Sequence, residues 1–308
     1  MGRVFQSDWE LSLIRCLQDL IASRPYLKGL FVALTQLGEP FVPVLIIGFL
    51  YWGYRKKWGI YMALCALNAQ VVNNYLKNIV CRLRPYMCNE DIVCLKPVDA
   101  SGDIYDVALQ GYSFPSGHSS CVSGFMSSLW FYKKLRPILY VSVPLIISVA
   151  VSRFALGVHY PTDVICGGIL GILVTVVTDH FYERIDKRLL YLFIAVITVS
   201  GFVFCRSEDY FSVSGLTLGF LAGDLFEERC VRFHNTKNIV RMILRTLIGG
   251  LVFLALSQGL KYLFVLSFPD VSEKTDFFLR SFRYMISTFS VIGLYPYCFR
   301  FDLFRFHK

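Results

Sequence analysis

Apolar runs recur along this chain at close to the thickness of a lipid hydrocarbon core, roughly 20 residues each, and no other feature of the sequence restricts the fold so strongly. In hydrocarbon, backbone N–H and C=O groups must be paired without help from water, so runs of this length specify helices. Residues 30–53, 58–80, 116–132, 137–157, 161–181, 189–205, 210–226, 243–266 and 277–299 are expected to span, which gives an all-α, polytopic transmembrane helical bundle of about nine spans. The runs at 116–132 and 210–226 are short and rich in small residues, as suits segments sheltered by neighbouring helices. Composition agrees, since 55% of residues are hydrophobic and 17% are charged, against about a quarter charged in a soluble domain.

The net charge of +9 sits in short clusters between apolar runs, where it sets topology, and does not point to nucleic acid as a partner. Arg55-Lys56-Lys57, Lys133-Lys134 with Arg136, Arg184 with Lys187 and Arg188, the basic residues of 229–241 and the tail 300–308 all fall on one side of a nine-span chain. The positive-inside rule makes that side cytoplasmic, while the opposite loop 86–114 carries Glu90, Asp91, Asp99, Asp103 and Asp106 against Lys96. The N-terminus then lies outside, with Arg3, Arg15, Arg24 and Lys28 as the charges that oppose this assignment. Residues 1–20 mix charged with apolar residues and offer no cleavable signal. Ser7-Asp8-Trp9-Glu10 has the form of a capping box, and Trp9, Leu13, Leu17, Leu20 and Ile21 recur at helical spacing. Residues 1–28 are therefore expected to form an amphipathic interfacial helix, with an ordinary packed helix as the alternative. Residues 29–182 would hold the chemistry, and 183–308 would add transmembrane helices that carry no motif tied to a substrate. Of ten cysteines only Cys88 and Cys94 share a polar loop, where a disulfide could close in an oxidising compartment. No metal-ligand spacing occurs, so no metal or other cofactor is expected.

Three stretches keep polar groups that are costly to hold in a membrane, and alternation of the spans brings all of them to the outer side. Lys77 ends the second span and Arg84-Pro85 follows it, about two helical turns on, so both cations can lean toward one anion. Pro85 disfavours helix at Arg84, which leaves that guanidinium free just past the helix end. Taken alone, the pair is better explained as two snorkelling cations. Ser113-Phe114-Pro115-Ser116-Gly117-His118 opens an apolar run, and a helix start offers unpaired N–H groups and the positive end of the dipole to an oxyanion. Gly117 permits close approach and Ser116 and His118 are further donors, although a simple turn with a helix cap uses the same residues. Arg153, after Ser152, is a third cation, and His159 followed four residues later by Asp163 places a carboxylate where it can fix the imidazole tautomer and raise its basicity. Pro161 suits the first turn of the next helix and would bring Asp163 back toward His159. Glu39, between Gly38 and Pro40 in the outer half of the first span, costs roughly a few kcal/mol unless paired or hydrated, and is expected to face the same site as a substrate contact or as the partner of a basic residue.

These stretches resemble the tripartite signature of the type 2 phosphatidic acid phosphatase superfamily. That signature is Lys, six residues, Arg-Pro; then Pro-Ser-Gly-His; then Ser-Arg, five residues, His, three residues, Asp, and Lys77 to Pro85, Pro115 to His118 and Ser152 to Asp163 match it in order and spacing. The resemblance covers about 70–180 firmly and the rest of the first five spans loosely. It implies that His159 attacks phosphorus to give a phosphohistidine, that Asp163 orients it and that His118 protonates the leaving oxygen. Lys77, Arg84, Ser116, the Gly117 amide and Arg153 would hold the equatorial oxygens, and no magnesium would be needed. The Gly38-Glu39 pair and the later spans resemble sphingosine-1-phosphate phosphatases and their bacterial relatives. Nine spans with an outside N-terminus resemble glucose-6-phosphatase, and undecaprenyl pyrophosphate or phosphatidylglycerophosphate phosphatases are equally open.

The expected partner is thus a lipid phosphate in the bilayer, as monoester or pyrophosphate, because a site at the membrane surface meets a headgroup whose tail stays in lipid. The alternative enzyme acts on a small soluble phosphoester in the manner of glucose-6-phosphatase. Vanadium-dependent haloperoxidases share such a cradle but are soluble, and a transporter or pseudophosphatase scaffold would have lost at least one catalytic group, whereas none is missing. No Asn-x-Ser/Thr acceptor occurs, which favours a bacterial plasma membrane with the site outside over an endoplasmic reticulum membrane with the site lumenal.

Overall fold

The computed structural model describes residue 2 and residues 4–96, 103–133 and 136–300. Arg3, Asp99, Lys134 and 301–308, which entered the orientation argument, lie outside the described residues, as do the side chains of Lys133, Arg136 and Arg300. The regular elements are helices: α1 (Asp8–Ser23), α2 (Tyr26–Gln36), α3 (Phe41–Gly48), α4 (Lys56–Val80), α5 (Pro85–Cys88), α6 (Val107–Gln110), α7 (Gly117–Lys133), α8 (Arg136–Ala155), α9 (Pro161–Tyr182), α10 (Lys187–Ser200), α11 (Glu208–Phe226), α12 (Ile239–Ser267) and α13 (Glu273–Phe289). Side-chain caps fix where several begin. Asp186 accepts from Arg188 N–H at 2.8 Å, Asn238 from Val240 N–H at 2.9 Å and Ser272 from Thr275 N–H at 3.3 Å.

Among the described residues, four helical segments are long and apolar enough to cross a membrane: Tyr26–Tyr54, Pro137–Ala155, Pro161–Tyr182 and Ile239–Ser267. Ile165, Ile169, Leu173 and Val177 of α9 and Leu247, Leu251 and Leu254 of α12 are exposed, as lipid-facing side chains are. The other five expected spans are also helical, in α4, α7, α10, α11 and α13, but are shorter or more polar than these four. The polarity has a use in α4 and α7, whose Asn73, Asn74, Lys77, Ser119, Ser120 and Ser123 are buried.

The contacts divide the chain into two compact units, Met1–Val42 with Asn68–His180 and Pro43–Leu67 with Phe181–Lys308. In the first, Leu11, Ile14, Tyr86, Ile92, Phe154, Leu156, Val158, Tyr160 and Val164 form one apolar cluster beneath the loop between α8 and α9. Helix α1 contributes Leu11 and Ile14 to it and also buries Ile21, while Trp9, Leu13 and Leu20 stay exposed. It therefore has two apolar faces, one packed and one free for an interface. Cys94 is drawn into this cluster while Cys88 sits on α5, and both thiols are free, so the disulfide their shared loop allows is not formed. Helices α7 and α9 meet backbone to backbone, since a Cβ at Gly167 would lie 2.4 Å from the Ser116 carbonyl and one at Gly171 2.4 Å from that of Ser120.

The second unit packs α11 along α13 through Gly215 and Gly219, around a core that includes Tyr51, Trp52, Leu64, Tyr191, Phe220 and Tyr295. Asp224 is fully buried there and accepts from Tyr191 Oη at 2.7 Å and Lys187 Nζ at 2.6 Å, so its charge is compensated.

Candidate active site

The loop between α8 and α9 carries the imidazole. Gly157 has φ +75°, a conformation open to glycine, and turns the chain so that His159 points inward, 1% exposed. Pro161 begins α9, and the Tyr160 N–H donates to Asp163 Oδ2 at 2.8 Å, which folds the carboxylate back over the first turn. Asp163 Oδ2 lies 3.6 Å from His159 Nδ1, and Ser113 Oγ stands between them, 3.4 Å from Nδ1 and hydrogen-bonded to Oδ2. A proton held on Nδ1 toward this pair leaves the lone pair on Nε2. Burial, followed by the neighbouring Arg84, Arg153, Lys77 and His118, holds His159 well below the usual histidine range. Those four groups thus converge on one imidazole, although they come from three separate parts of the sequence.

The cations reach this point by different routes. A Cβ at Gly117 would stand 3.6 Å from Asn73 Oδ1 and 3.8 Å from both Gln70 Oε1 and Lys77 Nζ, so one face of α4 meets the head of α7. Gln70 and Asn73 also donate to the Gly117 and Pro115 carbonyls at 3.2 and 3.3 Å. The Ser116 N–H is taken by the Asp163 carbonyl at 2.9 Å, and Ser116 Oγ accepts from Ser119 Oγ at 3.1 Å, which fixes the start of α7 against α9.

Arg84 departs from the expectation in one respect. Helix α4 stops at Val80 and Cys81 turns left-handed, so Arg84 stands past the helix end as expected. The Arg84 guanidinium is not free, because it donates to the Gly111 carbonyl at 3.0 Å, to that of Val158 at 3.3 Å and to that of Gln110. It is held rigidly in place as a result. Arg153 is also buried and donates through Nη1 to Thr35 Oγ1 at 2.6 Å, but its buried Nε has no hydrogen-bond partner among the described residues, an orphan donor that an anion would satisfy.

Glu39 lies in the turn between α2 and α3, with Oε1 3.0 Å from His118 Nε2. The close approach depends on Gly38, where a Cβ would fall 3.2 Å from His118 Cδ2. The side chains of His118 and Glu39 are 17% and 32% exposed, against 2% for His159. The cluster is therefore more exposed on the His118 side. Among the described residues, no group of three or more His, Cys, Asp and Glu side chains is placed to hold a metal ion.

Sequence reasoning passed over Arg82, Glu10 and Thr162 and gave Ser113 no role, yet all four are tied to Asp163 directly or through one another. The one available signal was a second arginine two residues before Arg84, while Glu10 was accounted for by its capping box.

Comparison with known families matches residues 58–187 to the PAP2 superfamily and residues 211–305 to the transmembrane extension of PAP2 superfamily phosphatases. Phosphatidylglycerophosphatase B of Bacillus subtilis is 30% identical over 181 residues, covering 54% of this chain and 81% of that protein. Undecaprenyl-diphosphatase of Sulfolobus acidocaldarius is 31% identical over 147 residues, covering 47% of this chain and 66% of that protein. The crystal structure of a transmembrane PAP2-type phosphatidylglycerolphosphate phosphatase from Bacillus subtilis aligns with 59% of this chain and 90% of its own, at 27% identity and a TM-score of 0.44.

Proposed function

The chain belongs to the PAP2 superfamily and is an integral membrane phosphatase, and on that premise we propose that it hydrolyses a lipid phosphate monoester or diphosphate through a phosphohistidine on His159, at the non-cytoplasmic surface. The names of the two relatives both specify lipid phosphates, which supports a substrate whose tail remains in the bilayer. The observation that carries the chemistry is the setting of His159: buried, with Nδ1 held against Ser113 and Asp163, and with Lys77, Arg84, Arg153 and His118 around it.

In the first step Nε2 attacks phosphorus and the bond to the leaving oxygen breaks, with a proton from the His118 imidazolium passing to that oxygen. Glu39 compensates the charge on His118 while it is protonated. Lys77, Arg84, Arg153 and the first-turn amide of Gly117 hold the equatorial oxygens, and the Ser116 hydroxyl sits beside them at the head of α7. In the second step water attacks the phosphohistidine and gives its proton to the now neutral His118, the P–N bond breaks, and inorganic phosphate leaves. Protein cations supply the charge that this transfer needs, so turnover in EDTA is expected. The outer placement of the site follows from the basic clusters of the sequence.

The test is acid-labile, base-stable phosphoenzyme from labelled lipid phosphate. Wild type should label at His159, His159→Ala should not, and His118→Ala should still label from an aryl phosphate whose leaving group needs no proton. Label persisting in His159→Ala would assign the nucleophile elsewhere.

A further inference from the structure

The geometry points to Arg82 and Glu10 as positioning residues for the nucleophile: α1, through a Glu10–Arg82–Asp163 chain, sets the carboxylate that orients His159. The inference rests on the role proposed above for His159.

Arg82 is 2% exposed and each of its guanidinium nitrogens is engaged. Nη1 donates to Asp163 Oδ1 at 2.6 Å and to Thr162 Oγ1 at 2.8 Å, Nη2 to Glu10 Oε2 at 2.9 Å, and Nε to the Phe5 carbonyl at 2.9 Å. Its plane lies over the Tyr160 ring at 3.7 Å and near that of Phe5 at 4.7 Å. Glu10 completes the frame. Its Oε1 accepts from Thr162 Oγ1 at 2.5 Å and Thr162 N–H at 3.3 Å, and its Oε2 accepts from the Ser7 N–H at 3.1 Å.

Two features separate this from a buried ion pair that only stabilises. Asp163 divides its oxygens, Oδ1 to Arg82 and Oδ2 to the His159 side, so the grip on Oδ1 decides where Oδ2 points. The Arg82 backbone carbonyl also accepts the Ser113 N–H at 2.7 Å, so the same residue seats the hydroxyl that bridges Asp163 and His159. Both groups facing Nδ1 are therefore placed by Arg82. Only a planar fork can span Asp163, Thr162 and Glu10 at once, which a lysine cannot do.

The experiment uses the full chain in detergent, with Arg82→Lys, Glu10→Gln and the double variant, reading single-turnover phosphorylation of His159 from labelled lipid phosphate alongside inhibition by inorganic phosphate. Arg82→Lys should slow phosphorylation about 10–100-fold, the range seen when a group that orients a reactive ligand is lost, and Glu10→Gln about 10-fold. The double variant should be no slower than Arg82→Lys, because both act through one carboxylate. Inhibition by phosphate should stay within about threefold of wild type, since the anion ligands are untouched. Wild-type phosphorylation rates in both single variants would overturn the inference and leave the phosphohistidine standing. Loss of phosphate inhibition in step with the rate, or loss of the folded species in both variants, would make the pair a structural support and overturn it equally. Absence of label on His159 in the wild type would instead remove the function on which it rests.

Discussion

Asp163 is fully buried, yet its charge is satisfied on every side, by Arg82, by Ser113 and by the Tyr160 amide. Asp163→Asn is expected to keep the fold, because Glu10 remains as the partner of Arg82, but to lower kcat by about 10²–10⁴-fold as the amide presents the wrong tautomer to Nδ1. Circular dichroism and steady-state rates on the same sample check both halves, and an unfolded variant would contradict the first. The pH dependence follows from His159. Its basicity is depressed by burial and by neighbouring cations, so it stays neutral as the pH falls and protonates only in more acid solution. The acid limb of kcat/KM should then lie below the ordinary histidine value of about 6.5, and Arg84→Gln, which removes a positive charge, should move it upward. A limb at or above that value in the wild type would contradict the burial argument. His159 and Asp163 were legible in the sequence because their spacing is local, whereas Arg82 meets Asp163 and Glu10 across 81 and 72 residues, separations that no pattern of residue types encodes.

Helices α7 and α9 bring the anion-binding turn to the histidine, and at Gly167 their backbones come into close contact. At Gly167 a Cβ would press on the Ser116 carbonyl, which is backbone and cannot swing aside, whereas at the adjacent Gly168 it would meet nothing within 4 Å. Gly167→Ala should therefore cost about 1–3 kcal/mol and displace Ser116 and Gly117 enough to reduce kcat, while Gly168→Ala should leave both unchanged. Thermal unfolding and turnover of the pair decide the matter, and equal behaviour of the two would refute the contact. At this scale the helix starts were legible, as at Pro161 and the Ser7–Glu10 box, since they depend on neighbouring residues. The left-handed turn at Cys81, which carries the chain from the end of α4 toward Arg84, was not. A hydropathy window leaves α4 out of the four spanning segments although its Asn73, Asn74 and Lys77 turn inward, because an average does not distinguish a buried polar face from a lipid-facing one.

At the scale of the whole chain, the proposed topology sets α1 outside and the segment after α11 inside, and two native thiols report on it. Cys16 on α1 and Cys230 after α11 are both exposed. An impermeant thiol reagent applied to intact cells should modify Cys16 and spare Cys230 until the membrane is opened, and the reverse pattern would invert the topology. The membrane class of the chain was legible from its apolar runs, since lipid imposes a length on any segment that crosses it. The outward gradient of exposure, from His159 through His118 to Glu39, sets an order of events if His159 carries the phosphoryl group as proposed. On that reading the lipid alcohol, leaving by the more exposed side beside His118, stands where water would come in. Hydrolysis of the phosphohistidine would then wait on its departure, and the phosphate would have to clear the same side before another headgroup enters.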